Sequence, residues 1–173
     1  MCLILVAWRA HPDHPLVVAA NRDEFFDRPT AAAAFWPGTD ILAGRDLKEG
    51  GTWMGITRGG RFAALTNYRD PALVKEGKAS RGHLVADFLS TRKAPMAWLA
   101  ELATRCDDYN PFNILVGDPD GLACLESTTG AVRLLEPGVY GLSNHLLDSP
   151  WPKVVAAKSA LSDALTALPE DHQ

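Results

Sequence analysis

The second residue of the chain is a cysteine, and a thiol at this position suggests a specific chemistry. Methionine aminopeptidase usually removes the initiator methionine when the next residue is as small as cysteine, so we expect Cys2 to become the first residue of the mature protein. An N-terminal cysteine combines a thiol of pKa about 8.5 with an α-amine of pKa about 7.7–8, which makes it both a nucleophile and a base. The alternative interpretation is an ordinary strand cysteine, because free cysteines commonly pack as small core side chains.

A polar cluster with the sequence NRDE, residues 21–24, follows the second apolar run of the chain and precedes two phenylalanines. If the first two apolar runs pair as an antiparallel hairpin, this cluster lies close to Cys2. Arg22 would then lower the pKa of the thiol, hold the α-amine or bind an acidic group of a substrate. The other interpretation is a solvated charged turn, which is how most such clusters behave.

Two asparagines follow strand-like runs in similar settings, Asn67 in ALTNY and Asn144 in YGLSN. Side-chain amides at strand ends can donate hydrogen bonds to a developing oxyanion, and such a donor contributes roughly 3–4 kcal/mol. Asparagine is also common in turns, so either residue alone is weak support for this role. The sequence GGTW, residues 50–53, similarly allows either a close approach of the backbone to a ligand or a tight turn.

These residues need a scaffold, and the hydrophobic pattern predicts strands before and after a helical section. The predicted strands cover residues 2–8, 15–21, 40–46, 52–57, 61–67, 112–118, 121–128 and 131–136. The first two are apolar enough to be buried on both faces and form a hairpin, and a tight turn at residues 58–60 joins two others. Helices are predicted over 80–89, over 94–105 and from 151 onward. This order, without strict alternation, indicates an α+β fold with largely antiparallel sheets.

Length and composition fit one globular domain of ordinary type. The 173 residues are 47% apolar and 22% charged, and the formal net charge is −4. A domain of this size buries about two thirds of the surface that its unfolded chain exposes, so it needs no disulfide for stability. The absence of clustered Lys and Arg argues against nucleic acid or an anionic membrane as a partner. No apolar run reaches the roughly 18 residues that a membrane-spanning helix requires.

The cysteine pattern indicates a reducing environment. Cys2, Cys106 and Cys124 are an odd set without C-x-x-C spacing, which supports neither a disulfide framework nor a structural zinc site. We therefore expect a cytoplasmic protein with no metal ion and no cofactor.

Five segments are spread over nearly the whole chain: MC at the start, AANRDEF, EGGTWMGI, ALTNY and YGLSN. Together they resemble the NRDE-motif family, also called the transport and Golgi organisation protein 2 family. That family is similar to the N-terminal-nucleophile hydrolases, among them the choloylglycine and penicillin V amidases, which implies a four-layer αββα sandwich. Family members usually continue further, so the resemblance implies a single NRDE-type domain over residues 1–173 whose C-terminal part is missing.

The resemblance also implies roles for individual residues. Cys2 would be both nucleophile and base, Asn67 an oxyanion donor, and Asn144 a second polar group near the nucleophile. Arg22 and Asp23 would be the charged pair beside the cysteine. The implied ligand contacts are Asn21, Arg22, Glu24 and Trp53.

Two functions of different classes are compatible with this pattern. The first is an N-terminal-cysteine amidohydrolase that acts on a C–N bond of a small amide. The second is a non-catalytic binder or carrier on the same scaffold. Because eukaryotic members of the family are linked to haem trafficking and to lipid or acyl-coenzyme A homeostasis, the resemblance implies haem or an acyl-CoA-type lipid as its ligand.

Overall fold

Ten strands and three α-helices make up the part of the chain that the computed structural model describes, residues 2–168. The strands are β1 (Leu3–Trp8), β2 (Leu16–Asn21), β3 (Thr30–Phe35), β4 (Ile41–Asp46), β5 (Met54–Thr57), β6 (Phe62–Asn67), β7 (Phe112–Gly117), β8 (Leu122–Glu126), β9 (Ala131–Leu134) and β10 (Gly138–Leu142). The helices are α1 (Gly82–Ser90), α2 (Pro95–Ala103) and α3 (Pro152–Thr166). Met1, whose removal the sequence predicts, lies outside the described residues.

The strands form two antiparallel sheets. The smaller sheet has three strands in the order β10-β1-β2, and its predicted hairpin is confirmed, with Leu3 opposite Asn21. The larger sheet has seven strands in chain order, from β3 to β9. The predicted tight turn at residues 58–60 joins β5 to β6, and Gly60 adopts a φ of +80° in it.

The central strands β6, β7 and β8 of the larger sheet are buried on both faces, and their side chains alternate between two cores. In β6, Ala63 and Leu65 belong to the core beneath α1 and α2, whereas Phe62 and Ala64 belong to the core shared with the smaller sheet. Helix α3 packs on β1 and β10, on the outer side of the smaller sheet. The layers are therefore helix, sheet, sheet and helix, which confirms the predicted α+β fold and its αββα order. Among residues 2–168, no helix is both long and apolar enough to cross a membrane.

One sequence prediction about the strands is wrong, and the strand β3 was not predicted. β2 is not buried on both faces, because it is an edge strand of the smaller sheet and its last three residues are exposed. The sequence pattern assigns no element to the alanine-rich stretch, which forms the exposed edge strand β3. Alanine is depleted in strands and a run of it shows no alternation, so this strand depends on its pairing with β4 and leaves little trace in the sequence.

Candidate functional site

A cavity of about 800 Å³ lies beside the start of β1. It is lined by residues that are distant in the chain: the one before β1, the turn after β2, the segment before β5 and the end of β6. Six of the predicted site residues line it, namely Cys2, Arg22, Asp23, Glu24, Trp53 and Asn67. The other two, Asn21 and Asn144, are not part of its wall, but each bonds to a residue that is.

The backbone carbonyl of Cys2 is held by side chains from two other parts of the fold. Ser143 Oγ, directly after β10, donates a hydrogen bond of 2.7 Å to it. Lys153 Nζ, in the first turn of α3, donates one of 3.3 Å. Cys2 itself is half-buried, and its thiol is free. These contacts fix the peptide group that links Cys2 to the first residue of β1.

Lys153 brings a positive charge close to Cys2. Burial lowers the pKa of Lys153, the negative charge of an ionised Cys2 raises it, and the neighbouring Arg69 lowers it. Sequence reasoning missed this lysine because it is 151 residues from Cys2 and no local pattern marks it. Ser143 was also missed, although it belongs to the YGLSN segment and directly precedes one of the predicted asparagines.

Three polar residues, Thr66, Asn113 and Glu126, lie side by side on β6, β7 and β8, and we call them the polar row. They are buried and face the smaller sheet, as do the residues two positions away on each strand. Asn113 Nδ2 donates to the carbonyl of His145 at 2.8 Å, and Glu126 Oε1 accepts a bond of 2.8 Å from the N–H of Leu147. The polar row therefore anchors the loop after β10, which contains Ser143.

The two predicted asparagines occupy different places. Asn144 is buried, and its side-chain Nδ2 donates to the backbone carbonyl of Asn67 at 3.0 Å. The backbone carbonyl of Asn144 accepts a bond of 2.8 Å from the N–H of Arg69. These bonds fix the end of β6, where Asn67 lines the cavity. Asn67 is therefore placed to contact a ligand, whereas Asn144 positions the strand end behind it.

The NRDE cluster is organised by contacts within itself. Arg22 Nη2 lies 2.5 Å from Glu24 Oε2, and Asn21 Nδ2 donates to Asp23 Oδ1 at 3.3 Å. The hairpin register of β1 and β2 brings the cluster to the same cavity wall as the cysteine. The ion pair of Arg22 is thus with Glu24, two residues along the chain.

A second ion pair lies next to the cluster, and no sequence argument identified it. Arg28 Nη2 lies 2.5 Å from Asp46 Oδ2, and Arg28 Nε donates to the same oxygen at 2.9 Å. Burial opposes ionisation of Asp46, but the bonds from Arg28 and from two backbone N–H groups outweigh it, so the pKa of Asp46 is lowered. Arg28 also lies 3.9 Å from Glu24. The charges of Arg22 and Arg28 are therefore neutralised by Glu24 and Asp46.

The GGTW segment makes both a turn and a close backbone contact. Gly50 adopts a φ of +78°, which favours glycine. A Cβ at Gly51 would lie only 2.5 Å from the carbonyl carbon of Gly82, so the segment reaches the first residue of α1 because it carries no side chain there. The N–H of Thr52 donates to the carbonyl of Gly82 at 3.1 Å. The segment therefore fixes the start of α1 on the cavity wall, next to Trp53.

Comparison with known proteins gives a consistent set of relatives. The family described as Transport and Golgi organisation 2 matches residues 1–173. The chain is 38% identical to the Transport and Golgi organization protein 2 homologs of Bos taurus and Homo sapiens, in alignments that cover 99% of this chain and 68% of each relative. Transport and Golgi organization protein 2 of Drosophila melanogaster is 30% identical, with 89% of this chain and 61% of that protein aligned.

A solved structure of lower similarity is the Caenorhabditis elegans N-acylethanolamine-hydrolyzing acid amidase ortholog. Its TM-score with this chain is 0.48 at 12% sequence identity. The superposition covers 94% of this chain and 79% of that one.

Proposed function

The chain belongs to the Transport and Golgi organisation 2 family, and from this premise we propose that it hydrolyses the C–N bond of a small amide with Cys2 as N-terminal nucleophile. The observation that carries the proposal is the setting of Cys2: a free, half-buried cysteine on a cavity wall whose carbonyl bonds to Ser143 and Lys153. Holding the reacting groups in position contributes as much as about 7–11 kcal/mol to lowering a barrier.

In the first half of the reaction, the α-amine of Cys2, freed by removal of Met1, accepts the proton of the thiol. The sulfur attacks the carbonyl carbon of the amide, a C–S bond forms, and the carbonyl electron pair moves onto oxygen. The side-chain amide of Asn67 donates a hydrogen bond to this oxyanion. The intermediate collapses as the C–N bond breaks, the leaving nitrogen takes the proton from the α-ammonium, and a thioester remains on Cys2.

In the second half, a water molecule attacks the thioester carbon and transfers a proton to the α-amine. The C–S bond breaks, the sulfur regains a proton, and a carboxylic acid leaves. Lys153 contacts the backbone of the nucleophile and is therefore a positioning residue in this scheme.

The proposal is tested by a screen of N-acyl amines with detection of the released amine, using wild-type protein and Cys2→Ala. We expect Cys2→Ala to lower turnover by at least about 10³-fold, as loss of a nucleophile does, with an unchanged melting temperature. Cys106→Ala is the matched control, since Cys106 is also half-buried and free, and it should keep full activity. An active Cys2→Ala protein, or an intact mass that retains Met1, would contradict the proposal.

The second candidate, a binder of haem or of an acyl-CoA-type lipid, is favoured by one observation. Phe25 and Phe26 are strongly exposed apolar side chains, and both line the same cavity, where they offer apolar contacts to a ligand. A carrier would bind haem or acyl-CoA with similar affinity in wild-type and Cys2→Ala proteins, would release no product, and would lose affinity in a Phe25→Ser, Phe26→Ser double variant. Equal affinity of the double variant would count against this candidate.

A further inference from the structure

Arg81 is a half-buried arginine on the wall of the cavity that contains Cys2. A guanidinium has five N–H donors, and in Arg81 one on Nη1 donates to the carbonyl of Pro111 at 3.0 Å. Burial lowers the pKa of Arg81. No carboxylate within residues 2–168 forms an ion pair with it, so its charge is desolvated without an opposite charge from the described chain.

The other cations of the cavity wall differ from Arg81. Arg22 and Arg28 form ion pairs with Glu24 and Asp46. Two more positive side chains donate to backbone carbonyls: Arg45, which is exposed, and Lys78, which lies three residues before Arg81. Among residues 2–168, Arg81 is therefore the half-buried guanidinium of this wall that has no ion-pair partner.

The contacts of Arg81 place it close to the predicted oxyanion donor. The carbonyl of Pro111, which accepts from Arg81, also accepts a bond of 3.0 Å from the N–H of Tyr68. Tyr68 directly follows Asn67, the last residue of β6. The guanidinium thus lies at the same strand end as the asparagine, and both side chains line the cavity.

We propose that Arg81 binds an oxyanion, a carboxylate or a phosphate, carried by the ligand that reacts at Cys2. The inference rests on the proposed function in assuming that this ligand occupies the cavity. A planar guanidinium can donate two parallel N–H bonds to two oxygens of either anion, and one of the five donors of Arg81 is bonded to Pro111. The substrate would accordingly be an amide that carries an acidic group. Its reacting carbonyl would lie at Cys2 and Asn67, and its acidic group would lie at Arg81.

The GGTW segment has a defined part in this arrangement. Arg81 is the residue directly before α1, and the close contact of Gly51 with Gly82 fixes the backbone to which it is attached. A side chain at position 51 would push the start of α1 away and move the guanidinium with it. Gly51 therefore positions Arg81, the proposed anion-binding residue.

The test uses binding to the Cys2→Ala protein, so that no turnover disturbs the measurement. The probes are 4-acetamidobenzoate, 4-acetamidophenyl phosphate and the neutral 4-acetamidobenzamide, titrated by calorimetry. We expect at least one acid to bind at least about tenfold more tightly than the neutral amide, and the stronger of the two identifies carboxylate or phosphate as the anion. Arg81→Gln should abolish this preference and leave binding of the neutral probe unchanged, because glutamine can still donate to Pro111.

Arg92→Gln is the matched control, since Arg92 is exposed and outside the cavity wall, and it should keep the preference. Arg81→Lys, which keeps the charge, should retain part of it even if Arg81→Gln does not fold. Equal binding of the three probes, binding of none, or an unchanged preference in Arg81→Gln overturns the proposal. If the preference for an acid depends on Arg81 but the wild type cleaves no amide, the anion site stands and the hydrolase proposal fails. If the wild type cleaves an amide but shows no preference for an acid, the hydrolase proposal stands and the anion site fails.

Discussion

The inner face of the larger sheet has two ends that are equally buried and chemically opposite. At one end, Ala64, Leu115 and Cys124 lie side by side on β6, β7 and β8, each with 0% exposure. The polar row lies two residues along the same strands, and no residue in it is more than 4% exposed. Burial alone therefore does not distinguish the hydrophobic core from the scaffold of the site. The bonding partners of the buried groups do.

The apolar end is stabilised by removing hydrocarbon from water, which contributes about 25 cal/mol per Å². The same environment makes the thiol of Cys124 inert, because burial raises its pKa to about 12. At the polar end, Thr66 Oγ1 and Asn113 Oδ1 have no hydrogen-bond partner among the described residues. An unsatisfied buried group costs about 1–3 kcal/mol, so these two atoms reduce stability, whereas the burial of the apolar end adds to it.

The difference between the two ends corresponds to what each one holds. The apolar end joins sheet to sheet, whereas the polar row bonds the loop after β10, which in turn bonds the carbonyl of Cys2. A loop has backbone donors and acceptors that an apolar surface cannot satisfy. Buried polar side chains at this end are thus the means by which the fold fixes a loop next to the candidate nucleophile.

Thiol labelling should give the largest contrast between the two regions. A thiol of pKa about 12 is ionised in only about one molecule in 10⁴ at pH 8, and Cys124 is also shielded from reagent. We expect iodoacetamide to modify Cys124 at least about 10³-fold more slowly than Cys2, as measured by peptide mapping over time. Comparable rates for the two cysteines in the folded protein would contradict the assignment of Cys124 to an inert core.

Leu115→Ala should cause the largest loss of stability. Leu115 is fully buried between the sheets, and removing its side chain leaves a cavity that costs about 3–5 kcal/mol. Urea unfolding measures this loss in the free energy of unfolding. Amide exchange in the loop of residues 143–147 should accelerate by no more than this global loss explains, because the bonds of Asn113 and Glu126 to the loop remain in the variant. Faster exchange confined to the loop would show that the two ends are not separate.

Glu126→Ala should have a smaller effect on stability and a larger one on the loop. The change removes the acceptor of the Leu147 N–H and the ion-pair partner of Arg133, which we expect to cost about 1–3 kcal/mol. Hydrogen exchange at Leu147 should accelerate by more than the global loss of stability explains. Glu136→Ala is the control, because Glu136 is exposed and its side chain has no such contact among the described residues, and it should change neither quantity. Protection of Leu147 in Glu126→Ala would refute the anchoring role.

The sequence predicted the structural elements that depend on a local pattern of residues. The two apolar runs at the start of the chain and the polar residues after them were sufficient to predict the hairpin that brings residues 21–24 to the cysteine. The three helices were predicted within about two residues at most boundaries because their apolar spacing is regular. The αββα layers came from resemblance and were confirmed by the structure.

The residues that the sequence did not reveal act through contacts between distant segments. Lys153 and Glu126 look like ordinary charged residues of a helix and a strand, and their roles appear only when α3 and the loop after β10 are in place. Arg81 likewise becomes distinctive only because no carboxylate of residues 2–168 forms an ion pair with it, which is a property of the folded surroundings. Local sequence patterns contain no information about such surroundings.

Thr66→Val should give the smallest effect and is the most direct test of the cost assigned to the polar row. The hydroxyl of Thr66 is buried with no hydrogen-bond partner among the described residues, so its replacement by a methyl group should leave stability unchanged or raise it by about 1 kcal/mol or less. Asn113→Leu is the contrasting variant, because it also removes the bond to the carbonyl of His145 and should destabilise the loop. A clear loss of unfolding free energy in Thr66→Val would mean that the hydroxyl is satisfied. The polar row would then stabilise the fold as well as position the loop. The two ends would differ in polarity, but both would contribute favourably to the free energy of folding.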